Sequence, residues 1–300
     1  MLQQAYLIKI IRYKAALPCA FIFILFIINS CTEKINIELE IKPQYVVNCL
    51  FSPDKDIQLF VFKTTNILNK NIETENNLHV ELYKGDNLIW EGKTNVYGVS
   101  IIPLIPETAK SYSIRVDGSQ NLALSASDTV PEKISILKAE YTYPVYTDKY
   151  HTQFGKLSVS FNDDPNRVNY YEIVLLNARD STINLTFNVN HPVITLDNEN
   201  DPNPPGSLLF TDELFEGQQV TLDIFTDSEK PLVVLKNISR NYYEYKKSLN
   251  AHLYSQNTKR ETVYELFKAD PVELYSNVNN GLGIFAGYTQ DISECKMINP

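Results

Sequence analysis

The sequence has few of the residues from which most catalytic centres are built. Its 300 residues include only 10 Gly, 4 His, 4 Cys and 1 Trp. Phosphate-binding loops need clustered glycines, and neither a P-loop nor a GxGxxG pattern is present. The HExxH and GxSxG motifs of zinc peptidases and serine hydrolases are also missing. The histidines share no metal-ligand spacing: His79, His151, His191 and His252. We therefore predict no enzyme and no cofactor.

Positive charge is scarce as well. Lys plus Arg number 27 against 36 Asp plus Glu, a formal net charge of −9. The first thirty residues contain Lys9, Arg12 and Lys14 but no acid, so without them 24 bases face 36 acids and the charge becomes −12. Such a surface repels phosphate backbones and anionic lipid headgroups. Nucleic-acid binding is not expected, and membrane attachment would have to come from a lipid.

The one long hydrophobic run lies near the N-terminus. It follows the three positive charges and spans Ala15 to Ile28, which is the order of a signal peptide. A membrane-spanning helix needs roughly 20 apolar residues, more than this run has. The run ends at Ile28-Asn29-Ser30-Cys31, which resembles a bacterial lipobox except at Asn29. We predict a lipoprotein signal peptide over 1–30 and lipid attachment at Cys31; the alternative is secretion with Cys31 as a free thiol.

Few cysteines remain if this processing occurs. Cys19 leaves with the signal peptide and Cys31 is acylated, so Cys49 and Cys295 are the remaining thiols. Two cysteines are too few for a disulfide framework and are not spaced as a metal site. A single bridge between them stays open, because the sequence does not show whether they approach each other.

Strand patterns dominate the rest of the chain. After a polar segment at 31–43, predicted as a tether, apolar residues alternate with polar ones and turn signals recur. A β-hairpin is predicted around Lys84–Asn87. Short strands at this spacing predict an Ig-like β-sandwich over 44–130.

A second β-rich domain is predicted over 131–300. Its one helical pattern lies near 239–256, with Ser239 placed to cap the helix. The apolar stripe of this helix consists of Tyr242, Tyr245, Leu249 and Leu253. We expect the helix to lie across the apolar face of a sheet. The predicted fold class is mainly β: an N-terminal Ig-like β-sandwich followed by a second β-sandwich-like domain with one substantial helix.

Two acidic segments are candidate sites. Asp197, Glu199 and Asp201 occupy positions 1, 3 and 5 of an EF-hand-like pattern, but Pro and Leu replace the expected Gly and Glu. An exposed loop without metal is favoured. Asp163-Asp164 could form an acid/base pair, although Asp-Pro-Asn is common turn chemistry and is the favoured interpretation.

Tyrosines are the more suggestive feature, with 19 in the chain. The segment AEYTYPVYTDKYHTQF is interpreted as a Pro-interrupted connection between two domains. Its tyrosines form the candidate ligand or partner surface: Tyr141, Tyr143, Tyr146 and Tyr150. Exposed tyrosines suit such surfaces because the ring gives apolar contact while the hydroxyl stays hydrated. Ordinary packing at a domain junction is the alternative, and the favoured one.

Several segments together resemble a known family. They are the signal with its cysteine, QYVVNCLFSPD, DTVP, DDPNRVNYYEI, YYEYKKSLNAH and PVELYSNVNNGLGIFAGY. These resemble the Bacteroidota lipoproteins grouped as domain of unknown function 4249, over nearly the whole mature chain. In the last segment Asn279-Asn280-Gly281 predicts a turn before a closing strand that contains Ile284, Phe285 and Tyr288. Its glycines could instead allow close backbone approach.

The resemblance implies an outer-membrane lipoprotein associated with TonB-dependent, SusC-like receptors, and it implies no catalytic residues. We expect a non-enzymatic accessory or ligand-binding subunit of a nutrient uptake system, and favour the cell surface over the periplasmic face. The alternatives are a structural or adhesive envelope lipoprotein and a cryptic hydrolase. The hydrolase would require a cleft with convergent carboxylates.

Overall fold

The computed structural model describes residues 42–65, 73–118, 123–183, 187–189, 191–197, 206–255 and 272–298. The predicted signal peptide, Cys31 and most of the tether lie outside these ranges. Three β-sheets and two helices make up the described chain, which confirms the mainly β fold class. The helices are α1 (Pro192–Asp197) and α2 (Arg240–Ser255). Within the described ranges, neither helix has the length and apolar content to cross a membrane.

One large sheet has eight strands, numbered here in chain order. Its strands, from one edge to the other, are β13 (Leu208–Thr211), β11 (Tyr170–Asn177), β15 (Pro231–Ile238), β16 (Leu282–Glu294), β1 (Tyr45–Phe51), β2 (Ile57–Lys63) and β3 (Glu73–Thr74). The eighth, β6 (Val99–Ile102), also pairs with β2. All of these pairings are antiparallel except that of β1 with β16, which is parallel.

Two smaller sheets pack against this large one. The four-stranded sheet has the order β5 (Asn87–Lys93), β4 (His79–Lys84), β7 (Ser111–Asp117) and β8 (Ala123–Thr129). The five-stranded sheet has the order β12 (Phe187–Val189), β14 (Gln219–Thr226), β10 (Gln153–Asn162), β9 (Ile136–Thr147) and β17 (Lys296–Met297). The predicted hairpin is β4–β5, and Gly85 in its turn has φ 58°.

Each small sheet encloses one hydrophobic core with part of the large sheet. The first core joins β4, β7 and β8 to β1 and β2, and the second joins β9, β10 and β14 to β11 and β15. The alternating burial of β7 matches such a half-buried strand. The first core also contains Val278 and, from β16, Phe285, which lie outside the predicted range 44–130. The two sandwiches therefore share one continuous sheet.

The closing strand β16 is where the halves join. It lies between β15 and β1 and contains Ile284, Phe285 and Tyr288, as predicted. Gly283 has φ 110°, and a Cβ at this position would lie 2.0 Å from the Val47 carbonyl oxygen. Both interpretations of the glycine-rich segment thus hold, because Asn280 turns with φ 61° and Gly283 permits close backbone contact.

Helix α2 begins at the predicted cap. The Ser239 side-chain oxygen accepts a hydrogen bond from the Tyr242 amide at 3.2 Å. Tyr242 is buried against β16 and Tyr245 packs at the edge of the same cluster, but Leu253 is exposed and Tyr243 is buried instead. The predicted stripe is therefore correct at the start of the helix and wrong at Leu253. The helix covers part of the outer face of the large sheet.

Candidate functional site

A cleft of about 420 Å³ lies beside α2 on the outer face of the large sheet. Residues alternate between faces along a strand. Ile173 and Leu175 of β11 point into the second core, so Glu172 and Val174 lie on the opposite face. The described residues that line the cleft are Glu172, Val174, Leu176, Ile183, Gly206, Ser207, Val234, Lys236, Lys246, Gln290 and Ile292.

Three of the lining residues form an ion network: Glu172, Lys236 and Lys246. The Glu172 carboxylate is 1 % exposed and binds two ammonium groups. Its Oε2 lies 2.6 Å from Lys236 Nζ, and its Oε1 lies 3.2 Å from Lys246 Nζ. Tyr242 donates its hydroxyl hydrogen to Oε2 at 2.8 Å. The network thus joins β11, β15 and α2, and each oxygen of the buried carboxylate has a cationic partner.

The electrostatics of Glu172 follow from these contacts. Burial alone would raise the pKa of its carboxyl group, because a dry environment disfavours charge. Lys236 and Lys246 outweigh this effect, and together with the bonds from Lys236 and Tyr242 they lower the pKa from 4.5 to about 2. Glu172 is therefore ionised at neutral pH, and the network carries two positive charges and one negative charge.

The two lysines are held differently. Lys236 Nζ also lies 5.5 Å from the centre of the Tyr288 ring and 5.8 Å from that of Tyr242. Its ammonium group therefore contacts two aromatic rings as well as Glu172. Lys246 binds Glu172 alone among the described residues, and its side chain is 25 % exposed. An ammonium group has three donors, so Lys246 has two that can reach a ligand.

The walls of the cleft are mainly apolar. Val174 and Val234 are buried on the sheet floor beside the ion network. Ile183 and Ile292 are each more than half exposed at the mouth. A mainly apolar cavity of this size with a few convergent polar groups is typical of small-molecule sites. The arrangement can bind a ligand that has one anionic end and one apolar part.

The cleft differs from that of a two-carboxylate hydrolase. Among its described lining residues only Glu172 carries a carboxylate, and both of its oxygens are paired with lysines. General acid and base work needs a second titratable group within hydrogen-bond reach of the substrate. The convergent carboxylates that the hydrolase alternative requires do not occur among the described residues that line this cleft.

The family comparison covers most of the chain. The family model described as Domain of unknown function (DUF4249) matches residues 32–293. The chain belongs to this family. A search of curated proteins found no match. The DUF4249 match supports the resemblance stated above at the level of the domain family.

The segments that resemble DUF4249 include a polar latch between the two halves. Asp128 of the DTVP segment accepts a hydrogen bond from the Ser239 hydroxyl and another from the Gly287 amide at 2.9 Å. Its second oxygen accepts from Asn241 Nδ2 at 3.1 Å. Asn277 bonds both the amide and the carbonyl of Phe285, at 3.0 and 2.8 Å. These side chains fix β8, α2 and β16 to one another, which is a structural role.

The candidate tyrosines do not form one surface. Tyr141 is fully buried in the second core, where its hydroxyl donates to the Ser228 carbonyl, so its assignment to a surface is wrong. Tyr143 is half-buried and stacks on Tyr141 with ring centres 6.0 Å apart. Tyr146 is 42 % exposed and stacks on Phe154 at 5.0 Å. Tyr150 is 73 % exposed, so two of the four candidate tyrosines are exposed, Tyr146 and Tyr150.

The segment that carries these tyrosines is not a connection. Residues Ile136–Thr147 form β9, and the chain turns into β10 at Gln153. Its register against β10 shifts between Phe154 and Lys156. Tyr141 lies on the core face, and Tyr146, an odd number of residues further along β9, lies on the opposite face, which explains their different burial.

The Asp163-Asp164 pair is turn chemistry, as the favoured interpretation had it. Asp163 is buried and accepts hydrogen bonds from the Tyr171 hydroxyl and, at 2.7 Å, from the Gly217 amide. Asp164 accepts from the Asn166 amide at 3.0 Å and pairs with Arg167 at 2.8 Å. The two carboxylates bind separate groups and do not converge on a common space.

The remaining candidate residues are the two cysteines and the acidic residues of the EF-hand-like pattern. Cys49 lies in the first core and Cys295 packs against the second, and both are free thiols. Burial raises the pKa of the Cys295 thiol to about 12, so it stays protonated. Asp197 ends α1, whereas Glu199 and Asp201 lie outside the described ranges. No cluster of three or more potential metal ligands occurs in the described part of the chain.

The residues of the cleft had a signal in the sequence. Glu172 stands within YYEIVLL and Lys236 within PLVVLKNI, so each is a lone charge in an otherwise apolar strand. Ionised side chains are almost never fully buried unless they are paired. Two such charges of opposite sign predict a partner across the sheet. The contribution of Lys246 depends on how α2 is placed, which no local pattern gives.

Proposed function

We propose that this protein is a lipid-anchored, non-enzymatic binding subunit of the outer membrane that works with a TonB-dependent, SusC-like receptor. The observation that carries the binding role is the cleft beside α2, with its ion network and apolar walls. The anchor is supported by the charged and apolar run that precedes Cys31. The receptor partner is supported by the family resemblance.

Lipid attachment at Cys31 is tested by metabolic labelling with palmitate. We expect the wild-type chain to incorporate label and to sediment with membranes. Cys31→Ser removes the acylated thiol, so label and membrane association should both be lost. Cys49→Ser is the matched control, because Cys49 lies in the first core. Equal labelling of wild type and Cys31→Ser would refute the anchor.

The receptor partner is tested by purification from solubilised membranes. We expect the tagged chain to recover a TonB-dependent receptor that an unrelated tagged lipoprotein does not recover. Protease treatment of intact cells tests the proposed cell-surface location. Recovery without any such receptor would overturn the partnership. A deletion strain with normal growth on every substrate but altered attachment would favour the structural or adhesive alternative.

A further inference from the structure

We infer that the cleft beside α2 binds an amphiphilic monocarboxylate, with its carboxylate at Lys246 and its apolar tail along Val174 and Val234. This inference rests on the proposed binding function and names the ligand class for the same cleft. Three observations carry it: the surplus of one positive charge, the unused donors of Lys246, and the apolar floor that begins beside them.

The net charge of the cleft lining favours an anionic ligand. Lys236 and Lys246 are the cations of the lining and Glu172 is its one acid, so the described lining has a net charge of +1. The chain as a whole has a net charge of −9. A cleft of positive sign in an acidic molecule concentrates anions relative to the surrounding surface, because its low-dielectric walls focus the field.

The ion network has one unbalanced positive charge, which favours a monoanion over a dianion. Glu172 neutralises one of the two lysines and is itself 1 % exposed, so it cannot turn away to solvent. A singly charged carboxylate would bring the ion network to neutrality. A phosphate dianion would leave an excess negative charge beside a buried carboxylate, and like charges in a dry site repel strongly.

The free donors point to Lys246 as the carboxylate contact. Lys236 is occupied by Glu172 and by the Tyr242 and Tyr288 rings. Lys246 lies on α2 at the rim of the network with Glu172 as its partner in the described chain. Ser207 and Gln290 line the same cleft and supply neutral hydrogen-bonding groups.

The apolar residues of the cleft favour a ligand with a hydrocarbon tail. Val174 and Val234 lie on neighbouring strands in direct register, and Leu176 and Ile292 extend the same side of the cleft. Burial of apolar area contributes roughly 25 cal/mol per Å². A hydrocarbon tail gains this stabilisation here, whereas a sugar or a short polar acid does not. The floor therefore distinguishes an amphiphilic acid from acetate.

Calorimetric titration of octanoate into the full chain in lipid nanodiscs tests the inference, with empty nanodiscs subtracted. Octanoate supplies both parts of the proposed ligand, whereas octanol lacks the charge and acetate lacks the tail. We expect octanoate to bind at least tenfold more tightly than either. Equal binding of octanoate and octanol would overturn the role of the cation. Absence of octanoate binding above the nanodisc background would overturn the inference.

Variants locate the binding to this cleft. Lys246→Met keeps the aliphatic stem but removes the charge, and we expect at least a tenfold loss of octanoate affinity. Lys247→Met is the matched control, because its ammonium contacts Tyr243 and not Glu172. Ile292→Asn changes a half-exposed residue at the mouth and should weaken octanoate binding through the tail. If Lys246→Met fails to fold, unchanged affinity in Ile292→Asn overturns the proposal.

The outcome is separable from that of the proposed partnership. Octanoate binding without recovery of a receptor would remove the partner and keep the ligand class. Recovery of a receptor with no octanoate binding, or with binding unchanged by Lys246→Met, would remove the ligand class and keep the partner.

Discussion

At the residue scale, Glu172 stabilises the packing of α2 on the sheet. Glu172→Gln leaves Lys236 and Lys246 without their buried counter-ion, which we expect to destabilise the fold by about 3–5 kcal/mol. The pKa of the Glu172 carboxyl group is lowered from 4.5 to about 2 in the folded state. Its contribution is therefore present above pH 4.5 and is lost as the pH falls toward 2.

Urea unfolding at pH 7 and pH 3 measures both effects. The wild type should lose more stability between these pH values than Glu172→Gln, because the variant lacks the titrating group. Glu244→Gln is the control on the same helix, since its carboxylate is partly exposed and lies 3.8 Å from Arg240. Equal destabilisation by the two variants would contradict the role of the buried network.

Single residues differ in how far their local sequence predicts their contacts. The sequence predicts the cap at Ser239 because a serine oxygen before a helical stripe can accept a hydrogen bond from a first-turn amide. The sequence does not predict the burial of Tyr141, because an aromatic side chain suits both a core and a surface, and the face on which it lies depends on strand register. The pairing of Glu172 with Lys246 depends on tertiary placement and has no local signal.

At the scale of elements, the polar latch around Asp128 helps to fix α2 to the first sandwich. Ser239 caps the helix and also donates to Asp128 of β8. Asp128→Ala and Ser239→Ala should each cost about 1–3 kcal/mol, and the double variant should cost less than their sum by about 1 kcal/mol. Urea unfolding of the four proteins gives this coupling energy.

A second cycle controls for unspecific coupling. Asp223 of β14 bonds Lys156 and Ser158 and shares no partner with Ser239. Asp223→Ala combined with Ser239→Ala should therefore be additive. Additive behaviour of Asp128→Ala with Ser239→Ala would show that the latch does not couple β8 to the helix.

Elements with strong local patterns were predicted, and one with a broken pattern was not. The β4–β5 hairpin and α2 have clear turn, cap and periodicity signals. Strand β9 was interpreted as a connection because Pro144 interrupts its alternation. A proline removes a donor from the ladder and usually ends a strand, so the sequence favoured a loop at this position.

At the scale of the whole molecule, β16 joins the two predicted sandwiches, because it pairs with a strand of each. Their strand content was predictable, because it depends on alternation within each segment. Their connection was not, because the pairing of β1 with β16 joins residues that are more than 230 positions apart. Strand β16, near the end of the described chain, thus completes the first core, and Phe285 packs against Phe51 with ring centres 4.4 Å apart.

This shared strand predicts that both halves unfold together. Gly283→Ala places a Cβ against the Val47 carbonyl oxygen at the β1–β16 contact, so we expect a loss of roughly 3 kcal/mol or more. Gly85→Ala is the control, because Gly85 also has positive φ but has open space around it. This substitution should cost roughly 1–2 kcal/mol.

Two signals measure whether the halves unfold together. Trp90, the only tryptophan, packs against the first core, and its fluorescence reports the unfolding of that half. Far-UV circular dichroism reports the whole chain. Both signals should shift to the same lower urea midpoint in Gly283→Ala, and a shift of the tryptophan signal alone would show that β16 does not couple the two halves.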